Sequence, residues 1–205
     1  VKLKATGGEE FKMEYFDQYF NDDQFWEEAY AWNTPGLGFA LRFKVEEPAL
    51  LKHTTMFFSN KNLAAKGTET SIGVLIKDAK GNYVPAAEPR VVNVEPNAWN
   101  TFNLEDFNIR LQAGDEFMIY TLQLHDRLGS PAMGFIWQGE EGYNNTFAYA
   151  KDGSLASLRE AQDIWQTPMI RAFLLRNVAE DSSVAAPVIT SHEYLNYTTE
   201  AKAEV

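Results

Sequence analysis

The chain has no cysteine among its 205 residues. Disulfide staples, thiolate catalysis and cysteine-based metal sites are thereby excluded. Its three histidines, His53, His125 and His192, are scattered, so no zinc-type imidazole cluster is written locally. No apolar run approaches the roughly 20 residues that a membrane-spanning helix needs. Positive charge is scarce: 18 Lys and Arg stand against 29 Asp and Glu, a net charge of −11. Phosphate backbones are gripped by clustered basic side chains, and no basic run occurs, which argues against nucleic acid as a partner. No Gly-x-Ser-x-Gly nucleophile elbow is present either.

What the chain does have is apolar material in short, punctuated runs. It is 45% hydrophobic and 14% aromatic, and a chain of this length buries roughly 70% of the surface its unfolded form exposes. Ala113-Gly114-Asp115 is a tight corner feeding Glu116-Phe117-Met118-Ile119-Tyr120-Thr121-Leu122-Gln123-Leu124, a run of aromatic, branched and long apolar residues. Such a run bounded by turn formers reads as a core strand. Residues 39–45 alternate, with Phe39, Leu41, Phe43 and Val45 on one face. Further strands are expected at 50–60, 70–78 (Ile72, Val74 and Ile76 on one face), 83–85, 89–95, 99–104, 132–138, 146–149 and 169–175. Asp78-Ala79-Lys80-Gly81-Asn82 reads as a hairpin turn. A helix is conceivable over 23–31, and residues 154–164 have helical spacing.

Strands every 8–12 residues with turns between them, and no βα alternation, predict an all-β fold. The expectation is an antiparallel β-sandwich, jelly-roll-like, of about ten strands with at most one or two short helices. Its domain spans 1–176, with an acidic-aromatic lead-in over 11–37. Residues 177–205 turn small and polar and read as a linker, a tail or the start of a following segment. Val1 as first residue fits either a terminus left by removal of a signal peptide or a trimmed boundary.

An ordered series of motifs carries a resemblance. It runs from Asn21-Asp22-Asp23 through Trp32 into Gly38-Phe39-Ala40-Leu41-Arg42-Phe43. It continues with Asp78-Ala79-Lys80-Gly81, Trp99-Asn100-Thr101-Phe102-Asn103-Leu104, Ala113-Gly114-Asp115-Glu116-Phe117 and Met133-Gly134. It closes with Trp165 and Met169-Ile170-Arg171-Ala172. In this order, over residues 20–176, the chain resembles the jelly-roll-like β-sandwich accessory modules of secreted and cell-surface bacterial proteins, found beside peptidase and adhesin domains. The resemblance implies an extracellular, non-catalytic role. It supplies no common ligand and carries no functional residue over to this chain.

The residues themselves offer two candidate sites. Trp137, next to the Gly139-Glu140-Glu141-Gly142 loop, together with Tyr143, Trp26 and Trp32, has the flat faces that stack on sugar rings and peptide side chains. The competing reading is that such rings pad the core, and for Trp99 and Trp165, at strand entries, the core is favoured. Asp17, Asn21, Asp22 and Asp23 offer the clustered oxygens that calcium takes, though without the spacing of an EF-hand loop. A solvated turn accounts for the same residues. No other cofactor is indicated. Asn144-Asn145-Thr146 and Asn196-Tyr197-Thr198 match the N-glycosylation pattern.

These readings favour a non-catalytic extracellular binding, adhesion or spacer module with a glycan or protein ligand, and not an enzyme. A self-assembling structural subunit joined by strand addition is the alternative. A carbohydrate-active enzyme, which would need a close carboxylate pair, is the weaker one.

Overall fold

A computed structural model describes residues 27–59, 68–137 and 142–176, together with the backbone of the strands at 2–4, 10–12 and 16–20. The chain divides into two compact units, Phe16–Val178 and a second one made of Val1–Tyr15 with Ala179–Val205. The second unit contains β1 (Lys2–Lys4) and β2 (Glu10–Lys12), an antiparallel pair.

The larger unit runs through β3 (Phe16–Phe20), β4 (Glu28–Tyr30), β5 (Leu37–Lys44), β6 (Ala49–Ser59), β7 (Glu69–Lys77), β8 (Tyr83–Pro85) and β9 (Arg90–Asn93). It continues with β10 (Ala98–Asn103), β11 (Arg110–Leu111), β12 (Glu116–Gln123), β13 (Ala132–Ile136), β14 (Thr146–Ala150) and β15 (Leu155–Ser157), and ends with α1 (Leu158–Gln162), β16 (Thr167–Pro168) and β17 (Ile170–Arg176). One 3₁₀ turn, Glu105–Phe107, joins β10 to β11.

Two antiparallel sheets result. An eight-stranded sheet follows the path β16-β13-β6-β17-β3 and adds β4, β10 and β11; a seven-stranded sheet follows β15-β14-β5-β12-β7-β8 and adds β9. The architecture is the expected all-β sandwich. The strand count exceeds ten because edge pieces of two or three residues, such as β4, β11 and β16, are too short to leave a periodic signature.

The core lies between the sheets. Phe39, Leu41, Phe43, Ile72, Val74, Phe117 and Ile119 come from the seven-stranded sheet, and Leu51, Met56, Phe58, Phe135, Ile170 and Leu174 from the eight-stranded one. An aromatic ladder runs through it. Phe135 meets Tyr30 edge-on at 4.9 Å and Phe39 edge-on at 5.0 Å, and Phe39 stacks on Trp32 at 5.3 Å.

One irregularity re-aims β6. Phe173 pairs with His53 and Leu174 with Leu51, so Lys52 is an extra residue in the ladder. A bulge of this kind shifts the side-chain alternation by one. Leu51 therefore points into the core on one side of Lys52, and Met56 and Phe58 on the other. His53 turns outward and stacks on Phe173 at 4.3 Å, and partial burial pulls its pKa below the usual value.

One helical expectation is corrected and the other is met in part, by α1. Residues 28–30 of the conceivable 23–31 helix form β4, held by pairing Tyr30 with Met133 and Glu28 with Phe135. The 154–164 segment is a strand followed by a single helical turn. Leu155 belongs to a cluster on the outer face of the sheet and Leu158 to the core, so the apolar spacing never formed one stripe. The Asp78 turn forms as expected: its Oδ1 accepts the N–H groups of Lys80 (2.8 Å) and Asn82 (2.9 Å), and Gly81 takes a φ of +83°. The hydrogen bond from the Asn82 backbone leads the causes that hold the Asp78 carboxyl below the ordinary range.

Candidate functional site

A half-solvated antiparallel sheet normally turns polar side chains outward. The outer face of the seven-stranded sheet departs from this. Phe39, Leu41 and Phe43 point inward, so Ala40, Arg42 and Lys44 share the outer face. Register then places Lys44 opposite Glu116, Arg42 opposite Met118 and Ala40 opposite Tyr120. On the next strand Leu75 lies beside Met118 and Gly73 beside Tyr120. Ala40, Leu75, Met118, Tyr120, Leu122 and Tyr149 form a second apolar cluster here, all six buried, flanked by half-buried Tyr83, Phe147 and Leu155.

Tyr120 lies across Gly73. A Cβ at position 73 would fall 2.4 Å from the Tyr120 hydroxyl oxygen and 2.5 Å from Cζ. The ring thus occupies the space that a missing side chain leaves on the pleat. Tyr149 packs on Tyr120 with ring centroids 4.5 Å apart, and burial raises the pKa of both hydroxyls.

At one end of this face the side chains become charged. Glu116 Oε2 accepts a hydrogen bond from Lys77 Nζ at 2.5 Å and from the Tyr83 hydroxyl at 2.9 Å. Lys77 also lies over the Tyr83 ring, 5.3 Å from its centroid. The Lys77 bond, then the Tyr83 bond, hold the Glu116 carboxyl below its ordinary value. A depressed carboxylate contributes stability that is complete above the unfolded value of 4.5 and is lost as pH falls through the folded value. Glu116→Gln is therefore expected to lower the urea midpoint slightly at about pH 7, within the ~1 kcal/mol typical of exposed pairs, and to differ less from the parent as pH falls below 4.5. An equal loss above and below that value would show that the carboxylate's charge is irrelevant.

Two arginines continue the row. Arg42 Nε donates to Asn145 Oδ1 (3.0 Å) and Nη2 to the Asn144 carbonyl (3.3 Å), with its guanidinium 5.4 Å from the Phe147 ring centroid. Arg159, exposed at the start of α1, lies 4.4 Å from the Trp165 centroid and 5.3 Å from that of Tyr143. Those two rings meet edge-on at 5.0 Å, and the Trp165 indole donates to Asp163 Oδ1 at 2.7 Å.

A groove of about 480 Å³ adjoins the same end, with Ile76, Phe107, Ile109 and Leu111 as apolar lining and Lys77 and Glu116 on its rim. Arg90 ties the two sheets together beside it, pairing with Asp106, donating to the Asn103 carbonyl (2.8 Å) and lying 4.9 Å over Phe107. A second, shallower cleft of about 910 Å³ holds Glu69, His125 and Asp126. There Asp126 Oδ1 accepts the Leu128 and Gly129 N–H groups and closes a turn.

Among the described residues, those singled out from sequence stand in different settings. Trp137 is 54% exposed, and its backbone N–H donates to the Glu27 carboxylate at 2.8 Å. Tyr143 is buried at 4% exposure under Trp165 and Arg159, which removes its ring face from a ligand. Trp32 is half-buried; its indole donates to the Gly38 carbonyl at 3.1 Å, and its backbone N–H and C=O are both bonded by the Gln123 side chain. Trp26 lies outside the described residues, as do Asn21, Asp22 and Asp23. Asp17 is placed as backbone in β3, opposite Leu174. Among the described residues no group of three or more His, Cys, Asp or Glu is arranged to hold a metal ion. Trp99 and Trp165 are half-buried, each beneath an arginine.

The sequence reading missed Arg42, Lys44, Tyr83, Phe147 and Arg159. The outward positions of the 39–45 alternation carried a signal for the first two. The gathering of the others depends on strand register.

No family model matches the chain, and no curated protein matches it. The solved structures it is similar to include infectious bursal disease virus Gt strain (TM-score 0.32) and Gx strain (TM-score 0.33), each 10% identical over 100% of this chain. The chain spans about half the length of those chains, 51% and 52%. Overlap at this level carries no argument about function.

Proposed function

We propose that the chain is a non-catalytic β-sandwich binding module of a larger extracellular or cell-surface protein, and that it takes its ligand at the charged end of the outer face of the seven-stranded sheet. One observation carries the reading: at the charged end of that face the half-buried rings of Tyr83 and Phe147 stand beside the held cations Lys77 and Arg42, where a solvated sheet sets plain polar residues. Aromatic faces give contact area at low entropic cost, and fixed charges give orientation. The resemblance to secreted accessory modules supports the extracellular setting.

Tyr83→Ala and Phe147→Ala test the face. A glycan array or pull-down that identifies a ligand for the parent is expected to show about tenfold weaker binding for each variant, roughly 1.4 kcal/mol. Circular dichroism checks that both remain folded. Undiminished binding by both folded variants would move the site elsewhere, with exposed Trp137 the next place to look.

A further inference from the structure

The charged end of this face has a composition at odds with the rest of the chain. Lys77, Lys44, Arg42 and Arg159 stand there with Glu116 and its neighbour Asp115 as the acids, in a protein of net charge −11. Glu116 is engaged by Lys77 and Tyr83. Among the described residues, Lys44, Arg42 and Arg159 have no carboxylate within ion-pair distance; Glu160 follows Arg159 on the helix, and Asp163 is bonded to Trp165.

Both arginines are held in place. Arg42 is fixed by Asn144, Asn145 and Phe147, and Arg159 by Tyr143 and Trp165, so the segment 143–147 is gripped from its two sides. A guanidinium fixed by stacking loses less entropy when it forks onto a carboxylate or sulfate. From β7 to β15 the row crosses four interstrand steps, about 19 Å. That length suits an extended polymer better than a single small ion. The rings of Tyr83 and Phe147 stand between the cations along it and are only half-buried, which leaves ring surface for sugar rings between acidic groups, while Trp165 lies beneath Arg159.

We propose that this row binds an acidic polysaccharide, its carboxylate or sulfate groups on Arg42, Lys44 and Arg159 and its sugar rings against the intervening aromatic side chains. The inference rests on the binding face proposed above and adds the class of ligand. The acidic remainder of the surface repels polyanions at long range, so the attraction is confined to the row and is sensitive to salt.

The test uses the full chain in affinity electrophoresis and calorimetry with polygalacturonate, with neutral dextran and single-stranded DNA as comparisons. Retardation by polygalacturonate but not by dextran or DNA, weakening as salt rises, is the expected result. Arg159→Ala and Lys44→Glu, both at exposed positions, should each weaken binding about tenfold, and Arg42→Gln likewise. Failure to bind polygalacturonate, or binding indifferent to Arg159→Ala and Lys44→Glu, overturns the inference. So does equal retardation by DNA, which would reduce the row to charge alone. Dextran binding that is lost in Tyr83→Ala and Phe147→Ala but kept in the arginine variants overturns the acidic ligand and leaves the face standing. The two proposals therefore fail separately.

Discussion

Gly38→Ala is expected to destabilise the sandwich by about 4 kcal/mol or more, lowering the melting temperature by about 10 °C or more. Gly38 sits in β5, opposite Tyr149 of β14. A Cβ there would fall 1.6 Å from the Thr121 carbonyl oxygen and 2.5 Å from its carbon, with the Leu122 Cα at 2.9 Å. All three atoms are backbone of β12, so no side-chain rotation makes room. The two central strands of the seven-stranded sheet have to separate, and the Trp32 indole bond to the Gly38 carbonyl goes with them. Gly81→Ala is the control. Its φ of +83° costs strain, but nothing lies within 4 Å of the new Cβ, so about 1 kcal/mol is expected. Urea denaturation of the two variants measures the difference. A Gly38→Ala protein no less stable than Gly81→Ala would mean that β5 and β12 do not approach so closely.

Phe135→Ala is expected to cost about 3–5 kcal/mol in the same assay. Phe135 is fully buried, and its ring is the joint between Tyr30 and Phe39 in the aromatic ladder. Removing it subtracts two edge-on contacts and leaves a void ringed by packed aromatic residues that cannot collapse into it. Phe135→Leu, which keeps most of the volume, should recover more than half of the loss. A loss below about 1 kcal/mol for the alanine variant would show that the sheets can slide together there.

The fold was legible because its strands obey simple rules. Period-two alternation at 39–45 and the Gly114 corner identify β5 and β12, and the Asp78 turn identifies the β7–β8 hairpin. Two features broke the pattern. The bulge at Lys52 switches the inward face of β6 midway, and Leu155 and Leu158 serve opposite faces of one sheet. The candidate site was far less legible. Arg42, Tyr83, Phe147 and Arg159 are spread over more than a hundred positions, and only the pairing of β15, β14, β5, β12, β7 and β8 sets them along one end of the sheet. Tryptophans attracted attention in sequence because of their size. Size alone does not distinguish a ring that meets solvent, as Trp137 does, from one anchored like Trp32 by its own indole bond.

The ring of Tyr120 over Gly73 binds two distant positions into one unit of inheritance. A methyl group at 73 is intolerable while tyrosine occupies 120, yet a smaller residue at 120 alone leaves a hole above bare backbone. Either change is harmful by itself, and the pair together restores a filled pleat, so the double variant should be more stable than the sum of its halves. Drift at one position is thereby permitted only in step with the other.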